Sequence, residues 1–298
     1  MTIATTLLGK YGKGGKKDSQ ASLDALAKAG TPQLSIRHLL GGAMRLATSF
    51  SLEKFVQAIY DQGQTSSCVG WALAQAIYLR CLVMGVTIDF PSPECIYVIA
   101  RAMERQLQNQ TPEEAPLQDQ GSEPALAWLG LSQWGAASMK AWPFSADTID
   151  NEPTWDELEM ASAFKVTGYY KLSSTGAQRK IDVMQAISSG YPVTIGVSVD
   201  QAFEAYSGGT SGGIPNMVTA PDKSAILGGH ELHLVGYQNF PNGKTGWRGV
   251  NQWTPGWGDS GLFWADDSWL EDGDADATVV TVGATGHTGL VLGGRKAA

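Results

Sequence analysis

The stretch from Ser66 to Gly85 is apolar around most of a helical circumference, through Trp71, Leu73, Ile77 and Leu82. Ser66 or Ser67 is placed to cap it, and Gly85 to stop it. A helix with no polar face cannot lie on a surface, so the rest of the chain has to enclose it. The material is present: 43% of the 298 residues are hydrophobic, ten are Trp, and only 17% are charged. That balance excludes a mainly disordered chain.

Further helix signals follow. Pro91-Ser92-Pro93-Glu94 opens a helix running to about Leu107, with Pro93 at its first position. Ser122-Glu123-Pro124 opens another that Gly135 closes, and Thr154-Trp155-Asp156-Glu157 is a capping box. Gln178 to Ser189 forms one more, ended by Gly190 and Pro192. After Pro192 the texture becomes alternating and β-branched, at Val193 to Val199, His230 to Tyr237, Trp247 to Asn251, Leu262 to Ala265 and Thr278 to Val282. Helices first and strands later imply an α+β fold of two segregated lobes, with a cleft between them as the natural site. Residues 1–45 read as an arm, flexible or docking, with Gly and Lys clustered from Gly9 to Lys17 and a short amphipathic stretch from Ser22 to Ala29. Residues 46–282 form the main domain, helical over about 46–150 and β-rich over about 151–282, and 283–298 are a C-terminal tail.

No run of about eighteen apolar residues exists, which argues against a membrane span. Leu7-Leu8 precedes the lysines, the reverse of a secretory signal, so a cytoplasmic chain is expected, with virion association as the alternative. The net charge of −8 leaves no broad basic face for nucleic acid. The three cysteines, at 68, 81 and 95, are too few for a disulfide scaffold and lack zinc-site spacing. No cofactor or metal is expected. His230-Glu231-Leu232-His233 has its second His at +3 rather than +4 and sits on a strand. Gly243-Lys244-Thr245 is read as a hairpin turn, and Lys10, Lys13, Lys16 and Lys17 as solvated.

Three pieces carry chemistry. Cys68 stands in the first turn of the enclosed helix, where unsatisfied N–H groups and the dipole favour a thiolate. His230 follows Gly228-Gly229 on a strand, with His233 on the opposite face. Asn251, in Asn251-Gln252-Trp253, can accept from one imidazole N–H and turn the other nitrogen toward a thiol, while a neighbouring indole excludes water.

These pieces, in this order, resemble the papain-like cysteine peptidases, in particular a compact bacterial and bacteriophage branch. Gln62-Gly63 through Cys68 meets the family's Gln-Gly-x-x-x-x-Cys, and His230 through Val235-Gly236-Tyr237 its histidine strand. Asn251 through Gly261 meets its Asn-Ser-Trp-Gly-x-x-Trp-Gly-x-x-Gly segment. The resemblance covers about residues 50–282 and extends to Pro91-Ser92-Pro93 before Tyr97, Asp119-Gln120-Gly121-Ser122, Trp142-Pro143-Phe144 and Gly190-Tyr191-Pro192-Val193. It implies a helical lobe and an antiparallel β-barrel-like lobe, with Cys68 as nucleophile, His230 as acid/base, Asn251 as orienter and Gln62 as oxyanion donor. It further implies that Gly121 and Ser122 pair with substrate and that Trp253 shields the His–Asn contact.

Thr65 stands where the family has a disulfide cysteine, Val69 where an aromatic follows the nucleophile, and Asn-Ser-Trp-Gly has become Asn251-Gln252-Trp253-Thr254. The expected activity is hydrolysis of peptide bonds in a peptide or protein substrate. The alternatives are a papain-fold structural or binding protein, such as a virion or assembly component engaging its partner through the termini, and a cell-wall peptide hydrolase.

Overall fold

A computed structural model of the chain describes residues 11–29, 45–162, 164–166, 168–172 and 174–272, and the backbone of 276–281. The tail 283–298 and the arm residues 1–10 and 30–44 lie outside the described residues. In chain order the elements are α1 (Gln20–Lys28), β1 (Ser49–Ser51), α2 (Cys68–Val83), α3 (Pro93–Leu107), α4 (Pro124–Gln133) and α5 (Trp155–Ala161). They continue with β2 (Gly168–Lys171), α6 (Gly176–Ser188), β3 (Val193–Val199), α7 (Gln201–Glu204), the short pair β4 (Thr210–Ser211) and β5 (Ile214–Pro215), β6 (Gly228–Asn239), β7 (Thr245–Val250), β8 (Leu262–Ala265), α8 (Asp267–Glu271) and β9 (Asp276–Thr281).

Two apolar cores define two lobes. The first packs α1 to α4 together, around Leu73, Ile77, Ile96, Leu126 and Trp128. The second lies on an antiparallel sheet of order β2-β9-β3-β6-β7-β8, around Val193, Ile195, Leu232, Leu234, Trp247 and Phe263. This is the α+β two-lobe arrangement that the order of helix and strand signals implied. Helix α2 belongs to both, because Leu73 and Ile77 face the helical core while Leu79 joins the sheet core. The element least able to face water therefore takes the central place.

Strand β6 is the other organising element. Its first half pairs with β3, His230 opposite Val197, and its second half with β1 and β7, with a register shift between Leu234 and Gly236. Residues 49–52, which the sequence assigns to the helical lobe, thus belong to the sheet, with Phe50 opposite Tyr237 and Leu52 in its core. A three-residue strand offers too short an alternation to be seen by periodicity.

The arm's α1 docks on the helical lobe. Ser19 caps it, Leu26 is fully buried, and Asp18 Oδ1 accepts from the Ala125 N–H at 2.8 Å. That carboxylate supplies an acceptor to the first turn of α4, which has no side-chain cap of its own.

Because α2 holds both cores, truncating Leu73, fully buried in it, should destabilise the whole chain. Leu73→Ala is expected to cost about 2–5 kcal/mol in urea unfolding. A loss below about 1 kcal/mol would contradict the central placement of α2.

Candidate active site

Ser67 holds the N-cap position of α2 without a side-chain cap bond, its hydroxyl meeting Thr65 Oγ1 at 2.7 Å instead. Cys68 follows, fully buried, with its sulfur in hydrogen-bonding reach of the backbone N–H groups of Glu231, Gly14 and Val69. Glu231 is the neighbour of His230 on β6, so the helix start and the histidine strand meet at the sulfur. The Asn251 side-chain oxygen Oδ1 lies 2.8 Å from His230 Nε2 and also accepts from the Gln252 N–H at 2.9 Å. The second bond has an unambiguous donor, so the atom facing the imidazole is an acceptor and Nε2 must carry the proton. The neutral ring then has an acceptor lone pair on Nδ1, which has no hydrogen-bond partner among the described residues.

Trp253 stacks on the His230 ring at 4.5 Å, with Phe203 edge-on to it at 5.5 Å. Gln252 holds its own segment, its Nε2 donating to the Glu231 carbonyl at 2.7 Å and its carbonyl accepting from the Gln62 N–H at 3.0 Å. Gln62 Nε2 donates to the Thr65 carbonyl at 2.8 Å and to the Gly12 carbonyl at 3.0 Å. Gly121 and Ser122 form the facing edge: Tyr97 Oη accepts from the Gly121 N–H, Asp119 accepts from Tyr97 Oη, and Asp119 also accepts from the Ser66 N–H. One partly buried network thus fixes the edge relative to the loop before Cys68.

All seven residues singled out from the sequence, Gln62, Cys68, Gly121, Ser122, His230, Asn251 and Trp253, converge on this one cleft. His233 faces the other way, lining a small cavity with Phe55, Gln75 and Tyr78. The cleft is occupied by the chain's own arm. Tyr11 stacks on Trp253 at 4.6 Å and 8°. The Gly12 N–H donates to the Gly63 carbonyl at 3.3 Å, the Gly15 N–H to the Gly229 carbonyl at 3.0 Å, and the Lys16 N–H to the Ser122 carbonyl at 3.0 Å. The Ser122 N–H returns a bond to the Gly14 carbonyl at 2.9 Å, a parallel bridge. The glycines are required by the fit. A Cβ on Gly12 would stand 2.2 Å from the Thr65 oxygen, and one on Gly14 would stand 2.0 Å from the Ser66 oxygen.

Two expectations change here. Lys13 is not solvated: its ammonium pairs with the Glu204 carboxylate, both side chains nearly fully buried, and Lys16 pairs with Glu104. The helix start does not yield a thiolate in this state, because burial pushes the Cys68 thiol up to about 12, outweighing the N–H groups around it. Burial also holds His230 down at about 4, against the opposing pull of its bond to Asn251. With the arm seated the pair is neutral thiol and neutral imidazole. Cys81 and Cys95 are buried as well, their thiols pushed to about 11 and about 12 by desolvation. Sequence reasoning missed Tyr11, Lys13 and Glu204. The run Gly12-Lys13-Gly14-Gly15 was the available signal, since three glycines in four residues mark a close backbone approach as readily as a flexible turn.

Comparison with known proteins agrees with this geometry. The model of the papain family cysteine protease matches residues 108–272, more than half of the chain. The chain belongs to the papain family of cysteine proteases. It is 27% identical over 155 residues to cathepsin B-like protease 1 of Arabidopsis thaliana, spanning 48% of this chain and 39% of that protein. It is 25% identical over 256 residues to cathepsin B of Dictyostelium discoideum, spanning 78% and 74% of the two chains. Among solved structures, xylellain, a cysteine protease from Xylella fastidiosa, superposes with a TM-score of 0.70 at 22% identity, over 92% of this chain and 97% of that one. The procathepsin B S9 of Trypanosoma congolense does so with 0.65 at 17%, over 95% and 90%.

Buried neutral histidines carry a pH signature. His230 at about 4 and His233 at about 3 stay unprotonated in the folded chain, whereas in the unfolded chain each takes up a proton below about 6.5. The unfolded state then binds more protons, so stability should be level from about pH 7 to 8, below the range where the buried thiols would ionise on unfolding, and fall as pH drops from about 6.5 toward 4. Urea midpoints at stepped pH check this. A midpoint unchanged between pH 7 and pH 5 would contradict the neutral assignment.

Proposed function

We propose that the chain hydrolyses peptide bonds through Cys68, His230 and Asn251, with Gln62 as oxyanion donor, and that arm residues 11–16 hold the enzyme closed. The observation that carries the reading is the Asn251–His230 bond, whose second acceptor contact from Gln252 leaves Nδ1 as the proton acceptor. Nδ1 takes the Cys68 proton, and the sulfur attacks the substrate carbonyl carbon. The oxyanion is stabilised by Gln62 Nε2 and the Cys68 N–H. The imidazolium protonates the departing amine, and the neutral ring then deprotonates a water that hydrolyses the thioester, restoring the thiol. Gly121 and Ser122 offer the backbone edge on which an extended peptide lies, the edge the arm uses. Trp253 keeps water from the His–Asn bond.

The seated arm blocks both halves of the site: its Gly14 N–H is held against the sulfur, and its Gly12 carbonyl occupies the Gln62 amide. Seating also removes water from both reacting groups. Four backbone hydrogen bonds, the Gln62–Gly12 bond, the Lys13–Glu204 ion pair and one aromatic stack hold this state against the cost of ordering the arm; a net preference on the order of 3 kcal/mol is a factor of about 100 in accessibility.

The test uses the full chain with Gly14→Val, which cannot seat against the Ser66 oxygen. Alkylation of Cys68 by iodoacetamide near pH 6 should be faster by about 100-fold than in the parent, and cleavage of unfolded protein substrates should appear. Cys68→Ala in that background should abolish cleavage. If Gly14→Val exposes a reactive Cys68 but neither proteins nor wall peptides are cut, the site is an idle remnant on a binding protein; cleavage of wall peptides alone would assign the wall-hydrolase reading.

A further inference from the structure

Within the run Gly12 to Gly15 only Lys13 has a side chain, and the cleft receives it in a built pocket. Its ammonium pairs with Glu204, donates to the Tyr11 carbonyl at 2.8 Å and lies 5.4 Å from the centre of the Trp253 ring. The turn that carries the carboxylate is held in place from behind. Asp200 accepts from the Phe203 N–H at 2.9 Å and from the Asp222 N–H at 2.9 Å, which fixes the turn of α7. The Glu204 carbonyl accepts from Trp257 Nε1 at 3.1 Å, and Phe203 packs edge-on against Trp253 and Trp257. The acid therefore sits on a wall of four aromatic rings, counting Tyr206 against Trp257, rather than on a mobile loop tip.

We infer that Glu204 is a specificity-determining residue, which selects a lysine or arginine side chain on the carboxyl-terminal side of the cleaved bond. The inference rests on the peptidase reading above. The side follows from the chemistry: His230 must deliver its proton to the departing amine, so substrate beyond the cleaved bond lies toward His230 and the Trp253 that stacks on it. Lys13 and Glu204 both act electrostatically on His230, which places the pocket beside that ring. With the arm seated Lys13 is the cation paired with this carboxylate, so a substrate that displaces the arm meets a fixed acid beside an aromatic ring face. A substrate cation restores the pair and gains the ring face of Trp253 as well. A neutral side chain of the same length does neither.

The experiment uses the full chain with Lys13→Ala and Gly14→Val, so that the tethered arm neither seats nor fills the pocket. Quenched peptides carrying Lys, norleucine or Glu at each of the first three positions after the cleaved bond are compared by kcat/KM. At one position Lys should exceed norleucine by about tenfold or more, and Glu should be the poorest. Glu204→Gln in that background should bring the Lys-to-norleucine ratio below about threefold, and Glu204→Lys should make Glu the preferred residue. Each ratio is taken within one enzyme, so a variant's overall rate does not enter. Cys68-dependent cleavage with no lysine preference would overturn the inference and leave the peptidase reading intact, with Glu204 serving only to anchor the arm. Absence of Cys68-dependent cleavage of every peptide would overturn both.

Discussion

A helix with no polar face has one stable place, and the rest of the molecule is arranged around it. Helix α2 is covered by the helical core on one side and by the sheet on the other. Its first turn therefore emerges where the lobes meet, and β6 passes directly beside it. Cys68 at the start of α2 and His230 on β6 are brought together by this burial requirement before any polar contact is considered. The hydrogen bonds then refine the placement: Asn251 sets the imidazole tautomer, Gln252 ties the asparagine segment to both Glu231 and Gln62, and Asp119 with Tyr97 aligns the facing edge.

The same burial shapes the electrostatics. A helix N-terminus lowers a thiol, but only by about a kcal/mol or so where water screens it. Removing water altogether acts more strongly and in the opposite direction. With the arm seated, desolvation wins at both Cys68 and His230, and both groups are left neutral. Seating of the arm requires glycines thin enough to lie against the Thr65 and Ser66 carbonyls, an aromatic cover over Trp253, and a lysine to satisfy Glu204.

Much of this was legible in the sequence. Long periodic elements were read to within a few residues, because α2, α3 and β3 have strong signals: Pro93 at a helix start, Gly85 at a stop, β-branched alternation from Val193. The residues brought together in the cleft were legible because their types and spacing are restrictive. What escaped was short or depended on a distant partner. Strand β1 is three residues long and exists only because β6 is there to pair with it. Lys13 reads as one of four lysines in a glycine-rich stretch, and nothing near it in the chain announces a carboxylate 191 residues away. The depressed imidazole was hidden for the same reason, since its cause is burial among residues distant in the chain, Trp253 among them.

Hydrogen exchange along the arm bears most directly on this account. The amides of Gly12, Gly15 and Lys16 donate to the carbonyls of Gly63, Gly229 and Ser122. In the full chain near neutral pH they should exchange about 100-fold or more slowly than in a free peptide of the same sequence. Exchange at the free-peptide rate would mean that the cleft stands open, and the neutral state of Cys68 would then need another cause.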